Sequence, residues 1–468
     1  VSIVYEWKLS LFSQKEKIEK TFFEGENLFR FVEKELAACV NQGFPFARVE
    51  FDTIRYLDMQ IVEIEAKISP GPVVLHGGLI NEGDSSISSG LISRALRIKR
   101  GQVFSFSRFQ MIPDLLGQLN FAEAAENPKL QFFGNQALVK VNLIKRRANT
   151  FTGILGILPQ SEAGGGTLIT GNIDLGLINL FNQGIGFKAK WNRFAPQSQV
   201  AEVNLEAPFL NYSGFGIEAG FDIFRQDSTI NRRNFDFRFL TSPSGKWQYQ
   251  FGIKSNFSSG FLTLSQIQKV NQSTQYLSFS LIRKYPLQTG VELRKRQFSF
   301  HIFPAIKSIS TTVSPKKTLP QIETSLFWKY PISFGTKRFA IQTSLALQSI
   351  FSGQITLQDQ YRVGGNRSIR GFVENFFYTS QHVLVSFQPQ FLVDRSLLVG
   401  LFTDLFFFNH HLDNQALKTL DFAMGFGFAT EVDLGNNFVQ ISIANGFMKD
   451  FLFDIQTTKI HFGYIARF

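Results

Sequence analysis

The 468-residue chain has one cysteine, four methionines, four tryptophans and no long apolar run. A single thiol, Cys39, excludes an internal disulfide framework. It lies in Glu35-Leu-Ala-Ala-Cys-Val40 on an apolar helix face, where it reads as a small buried hydrophobe and not as a reactive group. Without a run of about 18 apolar residues there is no transmembrane helix. A membrane is not thereby excluded, because transmembrane strands alternate lipid-facing and lumen-facing side chains and their hydropathy averages toward zero. The mean hydropathy of −0.01 fits that pattern. The chain opens at Val1 with neither Met nor a leader pattern, as expected of a processed or trimmed start.

Phenylalanine is in large excess, at 54 residues, and reads as lipid-facing and girdle side chains. The net charge of +11 raises the question of nucleic acid. The basic residues are spread along strand-like runs instead of clustering on one helix or tail, so no nucleic-acid partner is expected. The length allows two or three domains.

Residues 1 to 148 mix helical and strand patterns. Leu28, Phe31, Val32, Leu36, Ala37 and Val40 recur at helical spacing, and Gly43 is placed to end that helix. Strands are expected at 47–55 and 60–68, with Pro70-Gly71 as punctuation. A second unit has a strand at 73–79, a helix capped by Ser86 or Ser88, a helix from Phe106 to Leu119, and strands at 130–133 and 137–145. The pattern predicts two β-α-α-β-β units, at 1–70 and 71–148, followed by a barrel at 149–468.

From Thr150 onward the period becomes two. Phe235, Phe237 and Phe239 share one face, and Asp236 and Arg238 the other. Trp247, Tyr249, Phe251 and Ile253 alternate with Gln248, Gln250, Gly252 and Lys254. Counting such runs gives about 16 strands of about 10 residues, an antiparallel transmembrane barrel. Even-numbered connections are short (179–184, 241–246, 394–396, 433–437). Odd-numbered ones are mostly long (256–274, 304–321, 353–381, 409–420), an asymmetry that a soluble sandwich has no reason to show.

About 11 strands into that barrel lies Gln360-Tyr361-Arg362-Val363-Gly364-Gly365-Asn366-Arg367-Ser368-Ile369-Arg370-Gly371-Phe372. This loop resembles that of the BamA/TamA superfamily, outer-membrane barrels that insert or export proteins. The two N-terminal units resemble that superfamily's periplasmic POTRA domains. Asn179-Leu-Phe-Asn-Gln-Gly184 and Leu205-Glu-Ala-Pro-Phe209 resemble its second turn and the end of its fourth strand. The resemblance implies that Gly364, Gly365, Arg370, Gly371 and Phe372 fold back into the lumen. An arginine there needs a carboxylate. Asp404, in phase with Gly400 and Phe402, matches the superfamily's wall aspartate. Ser386 stands where BamA-like strands carry an acid. The C-terminal run Ile460, Phe462, Tyr464, Ala466, Phe468 is similar to a barrel sorting signal, with Ala466 where an aromatic is usual.

The resemblance further implies an assembly factor that inserts client barrels through a seam between the first and last strands, where Gly153, Gly156, Tyr464 and Phe468 lie. The alternative is a pore of the two-partner type. Expected partners are outer-membrane lipid, unfolded client proteins and accessory assembly subunits, and the expected location is a Gram-negative outer membrane with the N-terminal units periplasmic. Enzymatic equipment is thin. There is no Gly-x-Ser-x-Gly turn, His410-His411 diverge in an extended segment, and Gly164-Gly165-Gly166 lacks the Lys-Ser/Thr of a P-loop. Glu202, Glu206, Glu218 and Asp222 read as ordinary lumen charges. No catalytic residue, metal site or cofactor is expected.

Overall fold

Alternation with period two commits a chain to sheets with one apolar face, and a membrane admits such a sheet only when it closes on itself. The computed structural model describes residues 6–13, 16–56, 61–159, 167–195, 197–226, 230–241, 246–261, 269–283, 285, 296–311, 315–333, 338–366, 368–410, 420–435, 437–449 and 457–468. It holds two compact units, residues 1–116 with 122–145, and 117–121 with 146–468.

The first unit begins with β1 (Glu6–Ser13), β2 (Glu16–Glu24), α1 (Gly25–Asn41), β3 (Arg48–Tyr56) and β4 (Ile61–Ser69), in one sheet ordered β2-β1-β4-β3. The expected β-α-α-β-β order is corrected here: two strands precede a single helix. The pairing that organises them, β1 parallel to β4, joins residues far apart in sequence, and no local pattern announces it. Gly43 closes α1 with a φ of +98°, a left-handed conformation that suits glycine at a helix C-terminus.

There follow β5 (Leu75–Asn81), α2 (Ser89–Ala95), α3 (Phe106–Leu116), β6 (Ala122–Ala124), β7 (Lys129–Phe133), β8 (Gln136–Val141) and β9 (Leu143–Lys145). Ser88 caps α2 by accepting from the Leu91 amide at 3.4 Å. The sheet runs β5-β8-β7, with β5 parallel to β8, and β6 pairs with β9. Val74, Phe104 and Ala137, each 0% exposed, form its packed centre.

The second unit is the barrel. Its first eight strands are β10 (Thr150–Pro159), β11 (Thr167–Leu180), β12 (Ile185–Ala195), β13 (Ser198–Ala207), β14 (Phe215–Gln226), β15 (Ile230–Thr241), β16 (Trp247–Phe261) and β17 (Lys269–Arg283). Then come β18 (Gln297–Thr311), β19 (Lys317–Ser333), β20 (Phe339–Ser352), the three-residue β21 (Tyr361–Val363), β22 (Phe377–Leu392), β23 (Leu397–His410), β24 (Leu420–Asp433), β25 (Asn437–Met448) and β26 (Lys459–Arg467). Leaving aside β21, which belongs to the loop and lies on β22, sixteen antiparallel strands close the wall.

The register gives the alternation a physical sense. Phe235, Phe237 and Phe239 are 49%, 37% and 43% exposed, whereas Asp236 and Arg238 point inward and pair at 2.6 Å. Rows of outward side chains then cross strands: Phe239, Phe251, Phe279 and Ile302 occupy one row over β15–β18. Two of the expected long connections are corrected. Strands β16 to β19 run well into 256–274 and 304–321. Pro304 and Pro320 both lie within strands, at β18 and β19, inside the stretch 304–321 that was expected to be a connection.

Candidate luminal loop and barrel seam

The segment from the end of β20 to the start of β22 is held at three levels. At its root Lys307 of β18, 0% exposed, donates to Asp359 at 2.9 Å. Asp359 also accepts from the Thr356 amide and hydroxyl at 2.7 and 2.8 Å, and Gln272 of β17 completes the cluster. A lysine ammonium removed from water this completely needs such a set of acceptors. At its neck the Arg362 guanidinium stacks on Phe224 at 4.2 Å and faces Tyr378 at 5.4 Å. Tyr378 in turn accepts from Gln226 at 2.9 Å.

At its tip Arg370 meets Asp404. Arg370 Nη2 donates to Asp404 Oδ1 at 2.7 Å and Nε to Oδ2 at 2.8 Å, a two-pronged contact suited to a planar guanidinium. The Arg370 backbone amide donates to Oδ2 as well, at 3.1 Å. Nη1 donates to Gln388 Oε1 at 3.2 Å, and the guanidinium carbon sits 3.5 Å from the centroid of the Phe402 ring. Asp404 is 0% exposed and Phe402 2%, in the inward phase that they share. Ser386 stands directly across from Asp404 in the register and adds no second charge. Gln388, two residues further along β22, fills that role as a neutral acceptor.

Phe372 anchors the tip in an apolar cluster with Val363, Ile369, Phe377, Phe406, Phe408 and Ala423. Backbone room for it comes from glycine on both sides. A Cβ at Gly371, whose φ is +93°, would strike the Asn445 carbonyl, and one at Gly425 would strike the Arg370 carbonyl. A Cβ on Gly446 would come within 2.7 Å of the Phe372 ring. Gly364 and Gly365 both have positive φ, and Ser368 Oγ accepts from the Gly364 amide at 2.8 Å, which turns the chain before the tip. The loop thus lies against β23, β24 and β25. Gln388, Gly425 and Gly446 were not anticipated. Their signal was present, as small or amide residues in the inward phase of strands flanking Asp404.

The seam is the second feature. Between β10 and β26 only Thr150–Arg467 and Phe151–Ala466 are in register, against ten pairs for β10–β11 and eight for β25–β26. One further bond, from the Phe468 amide to the Asn149 carbonyl at 3.1 Å, lies below them. Gly153 and Gly156 are on β10 beyond the last paired rung. Tyr464 pairs with Val439 on β25 and faces outward, and Phe468 is 54% exposed. Backbone hydrogen bonds of an open edge are left without partners, and in hydrocarbon each such group costs several kcal/mol.

Three of the four lumen acids have polar neighbours, and Glu206 lies opposite Glu218. Glu202 lies opposite Asp222 and 3.5 Å from Lys190, Glu218 lies 3.8 Å from Arg238, and Asp222 accepts from Asn234 at 2.9 Å. No cluster of three metal-ligating side chains occurs among the described residues. His411 and Gly164-Gly165-Gly166 lie outside the described residues.

Set against known proteins, the chain is similar to CdiB from Acinetobacter baumannii, 12% identical with a TM-score of 0.64 over 99% of this chain and 90% of that one. It is similar to CdiB from Escherichia coli at 11% identity and a TM-score of 0.60, over 100% and 90% of the two chains. BamA from Haemophilus ducreyi, in a form lacking POTRA domains 1-3, aligns over 99% of each chain at 13% identity with a TM-score of 0.49. No protein-family model and no curated protein sequence matches the chain. The two CdiB likenesses show the fold, a 16-stranded antiparallel barrel like that of CdiB.

Proposed function

We propose that this protein is an outer-membrane barrel that assembles other proteins, inserting client strands at the seam between β10 and β26. The observation that carries the reading is the two-rung pairing of those strands in a wall where every other pair of neighbouring full-length strands shares at least eight registered pairs. A net backbone hydrogen bond contributes about 0.5–1.5 kcal/mol, so the seam opens for a small fraction of what any other strand pair would require. The exposed edge then templates an incoming strand through its own N–H and C=O groups. Gly153 and Gly156 favour this by keeping β10 pliable.

The remaining features support the same reading. The β5-β8-β7 sheet with α2 and α3 fits a POTRA module, and a free sheet edge there can receive an unfolded chain by strand addition. The unfolded clients, the accessory subunits and the periplasmic location of this first unit follow from the assembly role.

A second reading has its own support. The CdiB structures, from two-partner secretion, align over nearly all of this chain. In that reading the tip anchored by Arg370 closes a pore, and its release admits a polypeptide. A disulfide engineered across the seam, between the registered positions 151 and 466 in a Cys39→Ser background, separates the two. Insertion that stops on oxidation and resumes on reduction supports seam-based assembly. Unchanged activity in the locked barrel overturns it and leaves the pore.

A further inference from the structure

Strands β16, β17, β18 and β19 have 15, 15, 15 and 17 residues. A tilted strand needs about 9–11 to cross the hydrocarbon. The excess projects beyond it. Outward side chains change character along these strands. The row Phe239, Phe251, Phe279, Ile302 is wholly apolar. Two rows toward the loop-bearing end, Phe235, Ser255, Gln275 and Ile306 are mixed. The next row is Arg233, Phe257, Ser273, Ser308 and Thr318, and the one after it Asn231, Ser259, Asn271 and Ser310. Successive rows on one face lie about 7 Å apart along the strands. An outward surface that turns from phenylalanine to hydroxyl, amide and guanidinium within two rows marks the passage from acyl chains to headgroups.

Those polar rows are not flat. They line a cavity of about 700 Å³ together with Lys316. Of its thirteen lining residues twelve lie on strands, and all of those but Ser258, Gln272 and Ile309 have the outward phase, so it opens to the outside of the wall and not to the lumen. Its charged side chains are Arg233 and Lys316, and no acid lines it. Neither cation has an ion-pair partner among the described residues.

We infer that this cavity binds the phosphorylated sugar headgroup of an outer-leaflet glycolipid. Arg233 and Lys316 take the phosphate oxygens, and Ser259, Asn271, Ser273 and Ser308 supply the donors and acceptors that sugar hydroxyls need. Phe257 and Ile306, 46% and 63% exposed, meet the first acyl carbons below. A guanidinium forms paired hydrogen bonds to phosphate, and an ammonium adds a point charge. The inference rests on the outer-membrane placement but not on the seam, and its test does not require client insertion.

The test uses the full chain purified in detergent and bisphosphorylated lipid A, with native mass spectrometry reading bound lipid. The expected result is saturable binding that the Arg233→Gln/Lys316→Gln double variant weakens about tenfold or more. Arg233→Lys should retain most of it, and Arg100→Gln in the first unit should leave it unchanged. Heat-modifiable migration on gels verifies that each variant is folded, and the single variants replace the double one if it is not. Equal binding by wild type and charge-removed variants overturns the site. Displacement of the lipid by millimolar inorganic pyrophosphate overturns the glycolipid assignment in favour of a soluble anion. Binding that ignores the phosphate count, equal for monophosphorylated lipid A, overturns the role given to the two cations.

Discussion

Removing Asp404 should release the loop tip. Its carboxylate is 0% exposed and accepts three bonds from Arg370, at 2.7, 2.8 and 3.1 Å. In Asp404→Ala the guanidinium keeps only Gln388 and the Phe402 ring. Breaking a buried pair from one side costs about 3–5 kcal/mol, and the low end applies because the Arg370 side chain is 14% exposed to the lumen. About 3 kcal/mol is a shift of roughly a hundredfold in the population of the undocked tip. Hydrogen exchange of the Gly371 and Phe372 amides reads that population directly. Exchange there should rise by about that factor, while amides of Lys307 and its neighbours at the loop root stay protected. Arg370→Ala should do the same, and the double variant should be little worse than either, with a coupling of about 2–3 kcal/mol. Unchanged exchange in Asp404→Ala, or additive effects in the double variant, would refute the lock.

Gly425→Val should displace the tip with Asp404 intact, because its side chain must occupy the position of the Arg370 carbonyl, and the same exchange measurement should show it. Phe237→Lys places a charge on the lipid face and should lower stability in vesicles by about 2–4 kcal/mol, read by urea unfolding. The first unit should respond to acid through His76. Burial, with Arg108 adding to it, lowers its pKa from 6.5 to about 4, and both ring nitrogens lack partners. The unfolded chain therefore takes up a proton between those values and the folded unit does not. Stability is full above about pH 6.5 and falls as the pH drops toward 4, by at most about 3 kcal/mol. Exchange of the β5 amides at pH 7 and pH 5 should show the fall, and His76→Phe should flatten it.

Most of the barrel was legible because its physics is local. Where one face meets lipid and the other water, each strand records its own orientation, as 235–239 does. The motif around Arg370 and the phase of Asp404 were readable for the same reason. What escaped was set by partners distant in sequence. The strands at 6–24 acquire their place from β4. The stretch 304–321 was expected to be a connection, yet β18 and β19 run through most of it. Lys307 and Asp359 are 52 residues apart, and nothing in either neighbourhood says that they meet. Gly425 and Gly446 matter only through the loop backbone and the Phe372 ring that lie against them, and these come from a segment about 55 and 75 residues earlier in the chain.

The central claim is that a client strand joins the edge left open by the two-rung seam. A photoreactive residue at position 153 of β10 or 462 of β26, both on the outward face past the last paired rung, captures whatever lies against that edge during assembly in living cells. The expected result is a covalent adduct with an unfolded outer-membrane protein at both positions and none at 237 in mid-wall. Adducts confined to lumen positions such as 236 and 238, with none at 153 or 462, would contradict it.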